Sequence, residues 1–564
     1  MHDQLRAAAG EQLSHDRRRT LHRTVAETLE ATEDRAGAPD EVLGDHWSGA
    51  GETARALDYW ERAADSAMRR FAARRAIALY GALLEHAEAT VDPVGPVDPL
   101  RRARWHRQLA EAHLARAEHD DCVRSARLCL AALGAQMPAT AAGWWLHGAM
   151  HGVRQLWRRR AGNTPDLAPA EEAGRCEEAY RVLRIVARSF YWRNEVAPAL
   201  ATTFRSVNLV ERLPPGADRM VSYSMAAGIS QLLRAGRLSE QYYTLALNCE
   251  GADEEPVGYA EALNSLGVIR LGAGRWIEAR AALEESERLT REMGYRVLWE
   301  TNVMTLATMD DLLGGVERAL GGFVEAFDSA SRGNRQTLAW ALLGALRCHL
   351  MTGNLELARE CIRRLEELRL SEGDDPDASL LTWRAYSAWL AGDREPAGEW
   401  LEAAQAAWTN RPVNYSAYTF LAAGHEVCWQ MSVDGLGRGA EAGSRTSRWW
   451  AAALSPPARF LRRWAATFES GRSAASRARA HLALHRGSVA AARDHLRRSI
   501  TEARDLEQPA EEARALTDIA CFGQLSRDES LDLLRRAVQA FDDLGLRPER
   551  RRARERLSRL ERGG

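Results

Sequence analysis

The sequence predicts an all-α fold, a right-handed solenoid of helical hairpins with a period of about 39 residues. Three observations carry that expectation. A small–large–small motif recurs behind a turn glycine, the glycines are evenly spaced, and 564 residues exceed what one globular core usually holds.

The stretch GAGRWIEARAALEES, Gly272 to Ser286, shows the motif most clearly. Counting from Gly274, the residues five, nine and twelve places on are Ala279, Leu283 and Ser286. The same register gives Ala319, Phe323 and Ala326 after Gly314, and Ala397, Leu401 and Ala404 after Gly392. It gives Ala492, Leu496 and Ser499 after Gly487, and Ala56, Trp60 and Ala63 after Gly51. Gly353 leads Ala358 and Ile362 but puts Leu365 at the last place. Gly236 keeps only Leu245, and units counted from His119 (Leu128, Ala131) and Asn194 (Ala199, Ser206) lack the glycine. Places five and twelve fall on one helical face, where small side chains let a neighbouring helix approach closely. The large residue between them fills the gap, and the glycine ends the preceding helix in the left-handed conformation.

Spacing decides whether such hairpins stack. From Gly236 through Gly274, Gly314 and Gly353 to Gly392 the intervals are 38, 40, 39 and 39. A fixed period of this size marks a solenoid, because one hairpin cannot bury its apolar face without its neighbours. A last hairpin follows around Leu525, with Ser530, Leu534 and Ala537.

Composition prunes the function classes. All 76 basic residues are arginine, so a Walker A loop, a kinase core and Schiff-base chemistry all lack their lysine. A formal charge of −2 gives no global drive toward nucleic acid or anionic lipid. The eight cysteines form no CxxC and no Cys/His zinc spacing, and read as small buried residues of a reducing, cytoplasmic setting. The start is polar and alanine-rich, unlike a signal peptide, and no apolar run is long enough to span a bilayer.

The A-x3-large offsets, with Leu266-Gly267 seven residues before the turn, resemble the tetratricopeptide repeat. Arg270 stands where that family usually carries an aromatic, and the period is longer than its usual one. The looser repeat looks like the C-terminal sensor arm of bacterial STAND-type signalling ATPases, including large LuxR-type regulators and multidomain class III adenylate cyclases. Met1 to Glu30 resembles the segment that follows the ATPase and winged-helix modules there. His46 to Ala67 looks like the first repeat, and Ala540 to Leu560 like the closing helix. The resemblance implies a partner ATPase or output module, in cis on a longer chain or in trans on another polypeptide.

Candidate sites were weighed against structural readings. His147 with His151, and His481 with His485, have a metal-chelating spacing but neither the glutamate of HExxH nor a third ligand. His425-Glu426 begins an HExxH that Trp429 breaks. GLGRG, Gly435 to Gly439, has neither GxGxxG spacing nor a preceding strand. Trp144 to Arg160, rich in tryptophan and arginine, reads as an insert packed on the repeats, with a membrane surface or partner groove as the alternative. Arg547 to Arg562 carries a net charge of +5 and reads as a capping helix, with phosphate contacts as the alternative. Trp60, Tyr80, Trp276, Trp299, Trp340, Trp383, Trp389 and Trp400 are expected to pack between helices.

The expected organisation is a helical cap over 1–44, first repeats over 45–140 and a Trp/Arg-rich insert and loop over 141–170. Regular repeats follow over 171–410, degenerate ones over 411–480, and last repeats with a capping helix over 481–564. No catalytic, cofactor-binding or metal-ligating residue is assigned, and no cofactor is expected. The function predicted is non-catalytic: a scaffold that holds a protein or peptide in its concave groove and regulates an ATPase or transcriptional output. Nucleic acid and a membrane span are not expected. The alternatives are a helical α/α-toroid enzyme and an arginine-rich nucleic-acid scaffold.

Overall fold

The computed structural model describes residues 14–31, 40–70, 72–89, 97–116, 118–162, 166–193, 195–331, 335–370, 378–408, 415–436 and 445–562. Residues 1–13 and 32–39 of the expected cap, 163–165 of the loop after the insert and 437–439 of the GLGRG stretch lie outside them. Among the described residues the fold is all-α, with twenty-six α-helices, two single-turn 3-10 segments and no strand.

The chain forms two compact units, Met1–Pro214 and Pro215–Gly564. The first contains α1 (His15–Ala31), α2 (Asp40–Gly49), α3 (Thr53–Arg69), α4 (Ala73–Ala89) and α5 (Pro99–Ala115). It continues with α6 (His119–Ala132), α7 (Ala141–Ala161), α8 (Ala170–Trp192) and α9 (Val196–Val210). The second opens with α10 (Ala217–Leu232), α11 (Gly236–Leu247), α12 (Pro256–Gly272), α13 (Trp276–Glu292), α14 (Arg296–Leu312) and α15 (Val316–Ala330). Next come α16 (Arg335–Thr352), α17 (Leu355–Leu370), α18 (Ala378–Ala391), α19 (Arg394–Ala407), α20 (Tyr415–Leu436) and α21 (Arg445–Ala465). It closes with α22 (Arg472–His485), α23 (Val489–Asp505), α24 (Pro509–Phe522), α25 (Arg527–Asp543) and α26 (Arg547–Glu561).

One turn geometry builds the hairpins. Gly274 has φ +71°, its N–H donates to Leu271 O at 3.1 Å, and the Arg275 N–H donates to Arg270 O at 2.9 Å. This pair of bonds caps the last carbonyls of α12 and needs a left-handed residue, for which glycine is the least strained choice. The next helix starts two residues later, at Trp276. Gly51, Gly314, Gly353, Gly392 and Gly487 make the same turn, each two residues before a helix.

That rule corrects two registers. Between α10 and α11 the left-handed residue is Arg234, φ +58°, and not Gly236, which is the first residue of α11. Counting from Arg234 gives Ser239, Tyr243 and Ala246, all buried, so the motif is intact where the glycine count had lost it. The unit counted from His119 is also displaced by two, since α6 begins at that residue. Its buried residues are Cys122, Ala126 and Cys129, whereas Leu128 and Ala131 are exposed.

The motif residues bury as their sizes require. Ala279, Leu283 and Ser286 have no exposed surface, nor do Ala397, Leu401 and Ala404. Leu283 lies over Gly267, where an added Cβ would come within 2.6 Å of its Cγ. Trp60 lies over Gly44 in the same way, at 2.4 Å. The residue seven before the turn is small in most hairpins, with Ala227, Ala307, Ala385 and Ala480 standing there, all buried, while the Gly353 hairpin carries Leu346. Arg270, at the place of the family's aromatic, is buried too. Its guanidinium stacks on the Tyr243 ring at 3.5 Å and pairs with Glu240 at 2.6 Å. The repeat tryptophans and Tyr80 are buried or half-buried, as expected.

In the second unit the last hairpins return onto the earlier ones. Trp276 Nε1 donates to the Leu506 carbonyl at 2.7 Å, and Leu506 also covers Gly274. Leu544 covers Gly314, and Pro548 lies beside Gly353. Side chains of α14, α16, α18, α20, α22, α24 and α26 thereby meet on one inner face.

Candidate functional site

Ten charged side chains of the second unit meet on that inner face, five acidic and five basic. Arg347 Nε reaches Asp311 at 2.5 Å. Arg514 joins Glu511 at 2.6 Å to Glu549 at 3.1 Å. Arg477 bonds Glu426 at 2.8 Å and Asp518 at 3.2 Å. Arg552 stands 3.8 Å from Glu426, and Arg556 3.9 Å from Asp518.

Burial alone would raise the Glu426 carboxyl. The Arg477, Arg552 and Arg514 guanidiniums outweigh it and hold the group well below the usual carboxylate range. Glu511 and Asp518 are lowered against burial in the same way, by Arg514 and Arg477 for the first and by His481 and Arg477 for the second. Burial, together with His481, pushes His425 well down, and burial lowers His481 although Asp518 opposes it. His425 Nε2 meets His481 Nδ1 at 3.0 Å, and His481 Nε2 donates to Asp518 at 2.8 Å. The Trp429 ring stacks on His481 with centroids 3.9 Å apart. The cavity left among these groups is about 50 Å³, room for only a few waters. The sequence predicts an open concave groove, whereas this inner face is filled by charged side chains that pair with one another, and the buried atoms His425 Nδ1, Trp429 Nε1, Gln508 Oε1 and Glu549 Oε2 have no hydrogen-bond partner among the described residues.

The histidine pairs behave as structural residues. His485 bonds Ser432 Oγ at 2.6 Å while His481 is engaged as above, so the two share no vacant centre. His151 faces the Asn208 amide at 3.3 Å, with the His147 ring edge-on beside it. A His113, Glu118 and Asp121 cluster brings its ligand atoms within 4.8 Å of one another, a grouping the sequence reading missed because it straddles a turn. Arg116 already bonds Glu118 at 2.6 Å, and Arg124 bonds Asp121 at 2.9 Å.

In the first unit, α7 has two unlike faces. Thr140 caps its start, accepting from the Gly143 N–H at 3.1 Å, and Gly162, φ +66°, follows its end. Gly148 lets α7 lie against Leu200 and Ala201 of α9. Gln155 and Arg158 are buried, both bonding Glu211 at 2.8 Å, and Trp144 packs edge-on against Phe190. Within the arginine run, Arg158 is thus a buried pin. The other face is apolar and bare. Leu146 is 72% exposed, Val153 63% and Trp157 62%, with Trp145 and Met150 at 53%. Positions 146, 150, 153 and 157 form one helical stripe.

A cleft of about 780 Å³ runs along α26 in the second unit, walled on the other side by the α16–α17 turn and by Leu390 of α18. Its α26 wall is predominantly arginine. No helix among the described residues is long and apolar enough to cross a membrane.

These features define a class: an all-α array of tetratricopeptide-like helical hairpins. No family model matches the chain, and no curated protein matches it. Among solved structures, it is similar to PilF of Pseudomonas aeruginosa at 16% identity, over 44% of this chain and 98% of that one, with a TM-score of 0.31. It is similar to a Rap protein complexed with competence and sporulation factor at 12% identity, over 65% and 100%, with a TM-score of 0.39. It is similar to yeast Tom70 at 11% identity, over 90% and 95%, with a TM-score of 0.29.

Proposed function

We propose that the chain is a non-catalytic interaction scaffold, the regulatory arm of a signalling ATPase or transcriptional regulator, and that it docks a partner protein on the bare face of α7. The observation that carries this reading is the exposed stripe of Leu146, Met150, Val153 and Trp157. Contiguous apolar surface of this kind marks sites that another molecule covers. Its tryptophan, Trp157, is of a residue type enriched among the anchors of protein interfaces. The ATPase or output module as partner comes from the sequence resemblance. The concave groove is the weaker docking place in the second unit, where the inner charges already have partners.

A photo-crosslinking amino acid placed at Val153 in cells tests this, with Arg124 of α6, whose side chain is 72% exposed, as the control position. A discrete adduct from Val153 alone, lost on Leu146→Glu and containing an ATPase or DNA-binding protein, is the expected result. Equal labelling at the two positions, or no adduct from Val153, would overturn the reading.

A further inference from the structure

The cleft along α26 is lined on one wall by a row of arginines. Arg547, Arg551, Arg554, Ser558 and Arg562 follow one another at steps of four, three, four and four residues, so they form a single row on one helix face. The row is about 22 Å long at 1.5 Å per residue. Within the cleft, Arg550 pairs with Asp542 and Arg551 stands beside Glu555. Arg547, Arg554, Arg559 and Arg562 are different: all are exposed and line the cleft, and none of their guanidiniums has an ion-pair or hydrogen-bond partner among the described residues. Four unmatched guanidiniums in one cleft raise the local potential and offer forked donors that fit anionic oxygens two at a time.

The rest of the lining narrows the chemistry. Glu555 sits within the row, 4.0 Å from Arg551. Leu355, Leu390 and Pro548 add apolar surface to the lining. No aromatic ring among the described residues lines the cleft, which gives no stacking platform of the kind single-stranded nucleic acid uses. A continuous polyphosphate would set a negative charge against Glu555, whereas a peptide can space its carboxylates around it and place an apolar side chain against the leucines. We infer that the α26 cleft binds an acidic protein segment, with carboxylates spaced one helical turn apart and an apolar anchor beside Leu355 and Leu390. This site is independent of the α7 surface.

The test is fluorescence anisotropy of the full chain with a labelled 16-residue peptide carrying glutamates at alternating three- and four-residue spacing and two terminal leucines. A glutamine version of that peptide, a single-stranded 12-nucleotide RNA and inorganic tripolyphosphate are the comparison probes. The acidic peptide is expected to bind with micromolar affinity at low salt and to lose at least tenfold in Arg554→Gln/Arg559→Gln. Both side chains are exposed, so that variant should keep the parent melting temperature. Leu390→Ser should weaken the peptide and leave tripolyphosphate unaffected. Equal binding of the glutamine peptide, tighter binding of the RNA or tripolyphosphate, or no difference between parent and variant would each overturn the inference.

Discussion

Trp276 and Leu506 are joined across 230 residues by one hydrogen bond, from the indole Nε1 to a backbone carbonyl, at 2.7 Å in a buried setting. It ties the start of one hairpin to the turn of a much later one. Glu507, next in the chain, holds φ +50°, so this turn is itself strained and placed by its surroundings.

Trp276→Phe keeps the ring and leaves the carbonyl without its donor. The loss should be about 1–3 kcal/mol, the cost of an unsatisfied buried polar group. A urea titration measures it, and hydrogen exchange of the Leu506 turn should quicken in parallel. An unchanged midpoint would mean that the return of the last hairpins contributes little to cohesion.

Arg234 is an exposed non-glycine residue at a turn where six other described hairpins use glycine. Arg234→Gly should raise stability by about 0.5–1 kcal/mol, because it relieves a left-handed side chain at some cost in chain entropy. Differential scanning calorimetry reads the change, and a lower melting temperature would contradict the turn assignment.

Burial, with Arg102 adding to it, pushes His106 down to about 4; burial, with His147 and Arg205 adding, does the same for His151. A folded pKa below the unfolded value of about 6.5 means the unfolded chain binds the proton first, so stability is intact above that pH and falls as acid is added toward about 4. His425 and His481, both lowered, act in the same direction in the second unit. Urea midpoints measured from pH 7.5 to 4.5 should therefore decline, and His106→Phe should flatten part of the slope. A midpoint that does not move over this range would contradict the lowered pKa of His106 and His151 in the folded chain.

The repeat was legible because it rests on residue size at fixed intervals, as Ala279, Leu283 and Ser286 show. Two registers were misread because a left-handed turn can be made without glycine, at Arg234, and because helix starts, not turn letters, set the count at α6. The tryptophans of α7 were visible as unusual, but not which would be buried: Trp144 packs inward while Trp145 and Trp157 face out. The inner network left no local trace. Asp311, Glu426, Arg477, Asp518 and Glu549 lie on five different helices and share no spacing, so only the return of the chain brings them together.

That return predicts a closed ionic core in the second unit where an open groove would leave the same charges in water. A double-mutant cycle on Arg477 and Glu426 separates the two most directly. Arg477→Met should cost about 3–5 kcal/mol because it strands buried carboxylates, and adding Glu426→Gln should recover part of that loss. Single losses below about 1 kcal/mol that simply add, as for solvated ion pairs, would contradict the closed core.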